Sequence, residues 1–181
     1  PSIIIGTDHG GFELKQAIVT HLEQGGYTVE DVGSHDAESV DYPDYADLVA
    51  SAVSTGKSDL GILCCTTGIG MAIAANRYCG VQAAVVTDPE LAEKTRTHNN
   101  TNVLCLAGDF TTKEEAVAIV DAWLNTSFES GGRHERRVGK MNTCQVAKAS
   151  PHLAATDPEI AEVISEEEAR QAGNIELIAS E

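Results

Sequence analysis

The sequence has few aromatic residues and few basic ones. Phe, Trp and Tyr make up 4% of its 181 residues, and 12 Lys and Arg face 28 Asp and Glu, for a formal net charge of −16 at pH 7. Such an excess of acid disfavours nucleic acid as a partner. No apolar run approaches the roughly 18 residues of a membrane span. We therefore expect a protein that binds neither nucleic acid nor membrane.

The five cysteines lack the CxxC spacing that is typical of metal sites. An odd number of cysteines, with no signal-peptide character at the N-terminus, favours free thiols in a cytoplasmic protein. We expect buried structural thiols at Cys64, Cys79, Cys105 and Cys144. The sequence also lacks GxGxxG after its first apolar segment, which disfavours a dinucleotide-binding domain.

Short apolar segments alternate regularly with amphipathic ones. This pattern predicts a parallel sheet covered on both faces, a doubly wound three-layer α/β sandwich with five strands. We predict strands at residues 3–6, 27–32, 59–64, 81–86 and 103–107. The predicted helices are 12–24, 44–54 with Asp44 as its cap, 68–77, 89–97, 112–124, 133–149 and 159–172.

The stretch Gly61–Asn76 reads as a buried strand, a small-residue turn and the start of a helix. Such a turn presents backbone N–H groups and a positive helix end at the carboxyl edge of the sheet, where an anion would be stabilised. Cys65 stands at the mouth of this turn, and the same surroundings favour its thiolate. Such a thiolate could act as the general base that forms an enediolate. Paired with His98, it could instead be the nucleophile of a cysteine hydrolase.

Other polar residues are predicted at the same edge of the sheet. Asp8 and His9 follow the first strand, Thr87 and Asp88 follow the fourth, and residues 98–100 precede the fifth. Each has a structural alternative, because Asp8 and Asp88 can cap helices and His98 can complement a helix dipole. We expect their convergence to form a site.

A cluster of basic residues follows in an otherwise acidic chain. Arg133, Arg136 and Arg137 are either a solvated helix face or a phosphate-binding group. The concentration of positive charge favours phosphate binding.

Six segments together resemble ribose-5-phosphate isomerase B, in the family that includes galactose-6-phosphate isomerase. They are GTDHGGFELK, DVGSHDAESVDYPDYA, GILCCTTGIGMAIAANR, RTHNNTNVL, IVDAWL and GGRHERRV, in order within residues 1–147. The resemblance implies a flavodoxin-like Rossmann sandwich that acts as a homodimer with sites shared between subunits, with a tetramer as the alternative. It implies no metal and no organic cofactor. The implied reaction interconverts an aldose and a ketose phosphate, such as ribose 5-phosphate and ribulose 5-phosphate, through a cis-enediolate.

The resemblance also implies roles by position. Cys65 would move a proton between C1 and C2 with help from Thr67, and His98 with Asp8 would open the furanose ring. The implied substrate-binding residues are Tyr42 and Asn99 for hydroxyls, the turn of Thr66, Gly68, Ile69 and Gly70 for the enediolate oxygens, and His9, Arg133 and Arg137 for phosphate.

Two positions depart from the family pattern. Thr66 stands where a glycine is usual, and Asp109 where many members carry an arginine that reaches the phosphate. A β-branched residue stiffens the turn, and a carboxylate repels phosphate. These departures motivate an alternative, a non-catalytic sugar-phosphate-binding domain that regulates a fused enzyme.

The C-terminal residues resemble a different protein. Residues 157–160 and the run GNIELIASE are similar to the N-terminus of serine hydroxymethyltransferase. This resemblance predicts an isomerase domain at 1–149 and an acidic linker or helical tail at 150–181 that begins a second domain. A chance match on an acidic amphipathic helix is the alternative. In neither case would this chain bind PLP by itself.

Overall fold

A computed structural model describes residues 1–142 and, beyond them, residues 157, 159, 160, 162 and 163. The chain divides into two compact units, Pro1–Asn142 and Thr143–Glu181. In the second unit, the Ile160 N–H donates to Asp157 Oδ1 at 3.2 Å, as a helix N-cap does. The run that resembles serine hydroxymethyltransferase lies outside the described residues.

The first unit contains five strands and six α-helices among its described residues. The strands are β1 Ser2–Thr7, β2 Thr28–Asp31, β3 Leu60–Cys65, β4 Ala83–Val85 and β5 Val103–Ala107. The helices are α1 Phe12–Gln24, α2 Tyr42–Ser54, α3 Ile69–Ala75, α4 Pro89–Asn99, α5 Lys113–Asn125 and α6 Arg133–Met141. No helix of the described residues is both long and apolar enough to cross a membrane.

The strands form one parallel sheet in the order β2-β1-β3-β5-β4. The predicted fold class, a doubly wound α/β sandwich, is confirmed. The first three positions match the flavodoxin-like order 2-1-3-4-5, and the last two strands are exchanged. Because the chain winds outward from β1 in one direction and from β3 in the other, a crevice opens between their carboxyl ends.

The core consists of two apolar layers, one on each face of the sheet. Alternate strand residues point to opposite faces, so Ile3, Ile5 and Cys64 pack towards α1 and α5. Ile4 and Cys65 pack towards α2 and α3 on the other face. Because of this alternation, Cys65 lies on the face of the sheet that α3 covers, and the adjacent Cys64 lies on the opposite face.

Three local predictions are wrong. Helix α2 begins at Tyr42 with Asp41 at the N-cap position, so Asp44 lies in its first turn and is not the cap. Helix α4 extends to Asn99, so His98 belongs to its last turn and not to a loop. Cys79 is exposed and disulfide-bonded, whereas Cys64 and Cys105 are buried free thiols as expected. Cys144 lies outside the described residues.

Candidate active site

The loops after β1 and β3 meet in the crevice between those strands. Asp8 follows β1 directly, is 6% exposed, and its N–H donates to the Cys64 carbonyl at 3.4 Å. Its carboxylate accepts the Gly10 N–H at 2.9 Å and caps a short 3-10 helix at His9–Gly11. The cap fixes the carboxylate beside the end of β3. Asp8 is therefore a helix cap, as its structural alternative predicted. The same cap also positions its carboxylate at the candidate site.

Cys65 ends β3 and is only 5% exposed. The Gly68 N–H donates to its Sγ at 3.0 Å. This geometry depends on a left-handed backbone at Gly68, whose φ is +74°. This hydrogen bond holds the Cys65 sulfur against the turn that begins α3. The neighbouring Cys64 faces the opposite core layer, where burial raises the pKa of its thiol above its ordinary value.

Other residues close around this thiol. The Thr67 Oγ1 accepts the Ile69 N–H at 3.3 Å, at the start of α3. The Tyr42 ring lies against Gly70 so closely that a Cβ there would approach it to 2.8 Å. His9 is exposed and its Nδ1 accepts the Val40 N–H at 3.4 Å. One rim of the crevice is thus formed by four segments: the loops after β1 and β3 and the first turns of α2 and α3.

Thr66 and Asp109 lie on the same rim. A Cβ on Gly10 would collide with Thr66 Oγ1, so the threonine fits because its neighbour is a glycine. Among the described residues Asn100 is the only non-glycine with a positive φ, so Thr66 has an ordinary backbone. The Asp109 N–H donates to the Thr66 carbonyl at 3.2 Å, which holds an exposed carboxylate beside the turn. We refer to Asp8, His9, Tyr42, residues 65–70 and Asp109 as the Cys65 cluster.

His98 and Asn99 lie at the opposite edge of the sheet. Helix α4 starts at the carboxyl end of β4, where Asp88 caps it by accepting the Leu91 N–H at 2.8 Å. Its 11 residues then run back for about 16 Å towards the start of β5. The Asn102 N–H next donates to the Gln82 carbonyl, just before β4 begins. The prediction that His98, Asn99 and Asn100 lie at the same edge of the sheet as Cys65 is therefore wrong: within one chain, they lie at the opposite ends of the strands.

A second cluster forms around His98. The His98 and His134 rings are stacked, with centroids 4.2 Å apart and planes 5° from parallel. The Arg133 Nε donates to His134 Nε2 at 3.3 Å, and Arg133 and Arg137 are exposed on α6. Partial burial, His98 and Arg133 lower the pKa of His134 below its ordinary value. We refer to His98, Asn99, Glu129, Arg133, His134 and Arg137 as the His98 cluster.

The sequence-based prediction did not include His134 or Glu129. The Glu129 N–H donates to the Thr97 carbonyl at 3.3 Å, which places Glu129 at the end of α4. His134 lies within the segment GGRHERR, and Glu129 lies just before it; the predicted phosphate-binding group includes only the arginines of this segment. The histidine inside that basic run was the available signal.

Comparison with known proteins agrees with this architecture. Residues 3–141 match the family model described as Ribose/Galactose Isomerase. The chain belongs to the ribose/galactose isomerase family. One relative in this family, ribose-5-phosphate isomerase B of Escherichia coli K12, is 48% identical over 136 residues, which are 75% of this chain and 91% of the relative.

Two solved structures of the ribose/galactose isomerase family resemble the chain closely. Ribose-5-phosphate isomerase B of Clostridium thermocellum is 47% identical, with a TM-score of 0.77 over 78% of this chain and 95% of that one. The enzyme of Mycoplasma genitalium, solved with bound ribulose 5-phosphate, is 45% identical, with a TM-score of 0.74 over 78% of this chain and 93% of that one. The fold and the family are thus established together.

Proposed function

We propose that this protein interconverts ribose 5-phosphate and ribulose 5-phosphate as a cofactor-free aldose–ketose isomerase. The observation that carries the proposal is the buried Cys65 sulfur, which accepts the Gly68 N–H beside the capped Asp8 in a member of this family. Relatives that are 46% and 48% identical are named as ribose-5-phosphate isomerase B, one of them as a probable one. Their names support the pentose phosphate as substrate.

The chemistry begins with ring opening. A base removes the proton of the anomeric hydroxyl while an acid protonates the ring oxygen, and the C1–O4 bond breaks to give the open-chain aldehyde. We assign these roles to His98 and Asp8. His9, Arg133 and Arg137 hold the phosphate, and Tyr42 and Asn99 hold sugar hydroxyls.

Proton transfer between carbons follows. The Cys65 thiolate takes the proton from C2, and the electron pair moves onto O1 to give a cis-enediolate. Returning the proton to C1, while the hydroxyl proton of O2 moves to O1, gives the ketose. Thr67 assists the transfer, and backbone N–H groups of residues 66–70 stabilise the enediolate oxygens. Because the Gly68 and Ile69 N–H groups already bond to Cys65 and Thr67, part of this turn organises the base itself.

We further propose that the working unit is a homodimer in which each site combines two chains. The Cys65 cluster and the His98 cluster lie at opposite sheet edges, separated by a strand about 16 Å long. One sugar phosphate cannot bridge that separation, whereas a second copy can present its His98 cluster to the first copy's Cys65. Ile69 and Ile73 leave an exposed apolar stripe on α3 beside Cys65, a surface that such a copy would cover.

Solvent proton exchange tests the isomerase chemistry directly. The protein and its Cys65→Ala variant are incubated in D2O with ribose 5-phosphate, ribulose 5-phosphate and hexose 6-phosphates, and NMR follows deuterium at C2 of the aldose and C1 of the ketose. We expect exchange with the pentose phosphates for the wild-type protein and none for Cys65→Ala. Binding without exchange for any sugar would overturn the proposal in favour of a binding domain.

A cytoplasmic location remains a prediction. The free thiols of Cys64, Cys65 and Cys105 support it, and the disulfide at Cys79 is an observation against it. Fractionation of the native host, with a cytoplasmic marker enzyme, tests it.

A further inference from the structure

Three metal-ligating side chains converge within the His98 cluster. One ligand atom each of His98, Glu129 and His134 lies within 4.8 Å of the other two. Two imidazoles and a carboxylate are ligands that Zn²⁺ accepts readily. Three protein ligands also leave one position of a tetrahedral ion open. The combination therefore has the chemistry of a metal site.

The three residues are placed by separate, packed parts of the fold. His98 is in the last turn of α4, His134 is in α6, and Glu129 lies between α5 and α6. The Glu129 N–H bonds to the carbonyl of Thr97, the residue before His98, so its carboxylate starts from an anchored backbone. This tertiary placement, and not adjacency in sequence, brings the ligands together.

Closing the site around an ion needs a small rearrangement. Ligand atoms of a tetrahedral zinc site lie about 3.3 Å apart, given bonds of about 2.0–2.1 Å. The exposed Glu129 side chain can move the remaining distance, and one imidazole has to rotate out of the stack so that its nitrogen faces the ion. Arg133 must release His134, so binding should be weaker than at a structural zinc site.

We propose that His98, Glu129 and His134 bind one divalent transition-metal ion of the Zn²⁺ class, and that the ion inhibits the enzyme by removing His98 from ring opening. The binding rests on the three ligands alone. The inhibition rests on the proposed isomerase function. The two parts therefore need separate measurements.

Metal titration of the full chain tests the binding. After removal of metal with a chelator, Zn²⁺ is titrated in phosphate-free buffer by calorimetry against a competing chelator. We expect one ion per chain in the wild-type protein and in the matched control Glu135→Gln, which alters a neighbouring acid outside the cluster. Affinity should fall at least about tenfold in Glu129→Gln and further in His134→Asn. Equal affinity in all four proteins, or no binding, would overturn the proposal.

Cys65 is a competing zinc ligand and has to be distinguished from the cluster. Co²⁺ replaces Zn²⁺ as a spectroscopic probe, because thiolate ligation produces an intense sulfur-to-metal charge-transfer band that imidazole and carboxylate ligation lacks. We expect Co²⁺ binding without that band, unchanged in Cys65→Ala. A charge-transfer band that disappears with Cys65→Ala would place the ion on the thiol and refute the His98 site.

Kinetics tests the consequence for catalysis. Zn²⁺ should inhibit ribose 5-phosphate conversion in wild-type protein at concentrations that leave Glu129→Gln uninhibited. Ribulose 5-phosphate cannot form a furanose through its phosphorylated O5, so its C1 exchange in D2O bypasses ring opening and should persist. Loss of both reactions to the same degree would contradict the ring-opening explanation while leaving the binding result intact.

Discussion

At the scale of single residues, Cys65 and His98 divide the proposed reaction into two separable steps. The Cys65 sulfur accepts the Gly68 N–H, whereas His98 is stacked on His134 in a different cluster. A base for proton transfer is needed with every substrate, but a ring-opening acid–base group is needed only for cyclic ones. Substitution of Cys65 should therefore abolish the reaction of every substrate, whereas substitution of His98 should affect only cyclic substrates.

The first prediction uses His98→Asn. We expect its conversion of ribose 5-phosphate to fall about 100-fold or more, since general acid–base catalysis supplies at least that factor. Deuterium exchange at C1 of open-chain ribulose 5-phosphate should be largely retained. Coupled kinetics and NMR exchange measure the two quantities, with Cys65→Ala as the control that loses both. Equal losses in His98→Asn would count against a ring-opening role.

The second prediction concerns Asp109, whose exposed carboxylate lies beside Thr66 on the rim of the Cys65 cluster. Asp109→Arg replaces repulsion of the phosphate dianion with a charge-assisted hydrogen bond and should lower KM for ribose 5-phosphate about tenfold. Asp109→Asn removes only the repulsion and should lower KM less. Steady-state kinetics at low salt decides the matter, and an unchanged KM in both variants would place the phosphate elsewhere.

At the scale of elements, a buried lysine supports the loop beside Asp8. Lys15 on α1 is fully buried, and its Nζ donates to both Asp31 oxygens at 2.7 Å and to the Ser34 carbonyl at 2.9 Å. The Ser34 N–H in turn bonds to the Thr7 carbonyl at 2.8 Å, next to Asp8. One ammonium group thus connects α1, the end of β2 and the loop at the site.

The third prediction follows from that connection. Lys15→Met leaves the Asp31 carboxylate and the Ser34 carbonyl without their partner and should lower the free energy of unfolding by about 3 kcal/mol. Lys57→Met is the matched control, because the Lys57–Glu30 pair is solvent-exposed and contributes only about 0.5 kcal/mol. Urea denaturation measures both. A similar loss in the two variants would show that burial of Lys15 has no special importance.

At the scale of the whole molecule, the separation of the two clusters within one chain is the basis of the proposed dimer. The strands place Asp8 and Cys65 at one edge, and α4 carries His98 to the other. A parallel α/β fold imposes this arrangement, because every helix runs antiparallel to the strands it connects. In the proposed symmetric dimer, four half-sites would combine into two complete sites.

The fourth prediction is complementation between inactive variants. Cys65→Ala and His98→Asn, denatured together and refolded as a mixture, should regain about a quarter of wild-type activity, because half of a random mixture is heterodimer and each heterodimer has one intact site. Cys65→Ala mixed with Asp8→Asn should regain none, since both changes fall in the same half-site. Light scattering should give the mass of a dimer or a multiple of it. Failure of the first mixture, with dimers present, would mean that each chain forms its own site.

Much of the fold and half of the candidate site were predictable from local sequence patterns. The alternation of apolar and amphipathic segments is a local signal, and it predicted α1 at residues 12–24 and β5 at 103–107 with the observed bounds. Asp8 and Cys65 were placed correctly at one edge, because both directly follow parallel strands, whose carboxyl ends must coincide. The small-residue turn after β3 was likewise predicted, whereas the left-handed backbone at Gly68 that directs its N–H at the Cys65 sulfur is a finding of the structure.

The tertiary structure alone decided which polar residues meet. His98 precedes β5 in sequence, yet the direction of α4 carries it to the edge opposite Cys65. Its contact with His134 joins helices that are separated by β5 and α5, and no periodicity encodes such a contact. The exchange of β4 and β5 in the sheet is also an outcome of packing between distant segments. Local chemistry determined the elements and their terminal residues, whereas the paths of the connecting helices in three dimensions determined how those residues are grouped into two clusters.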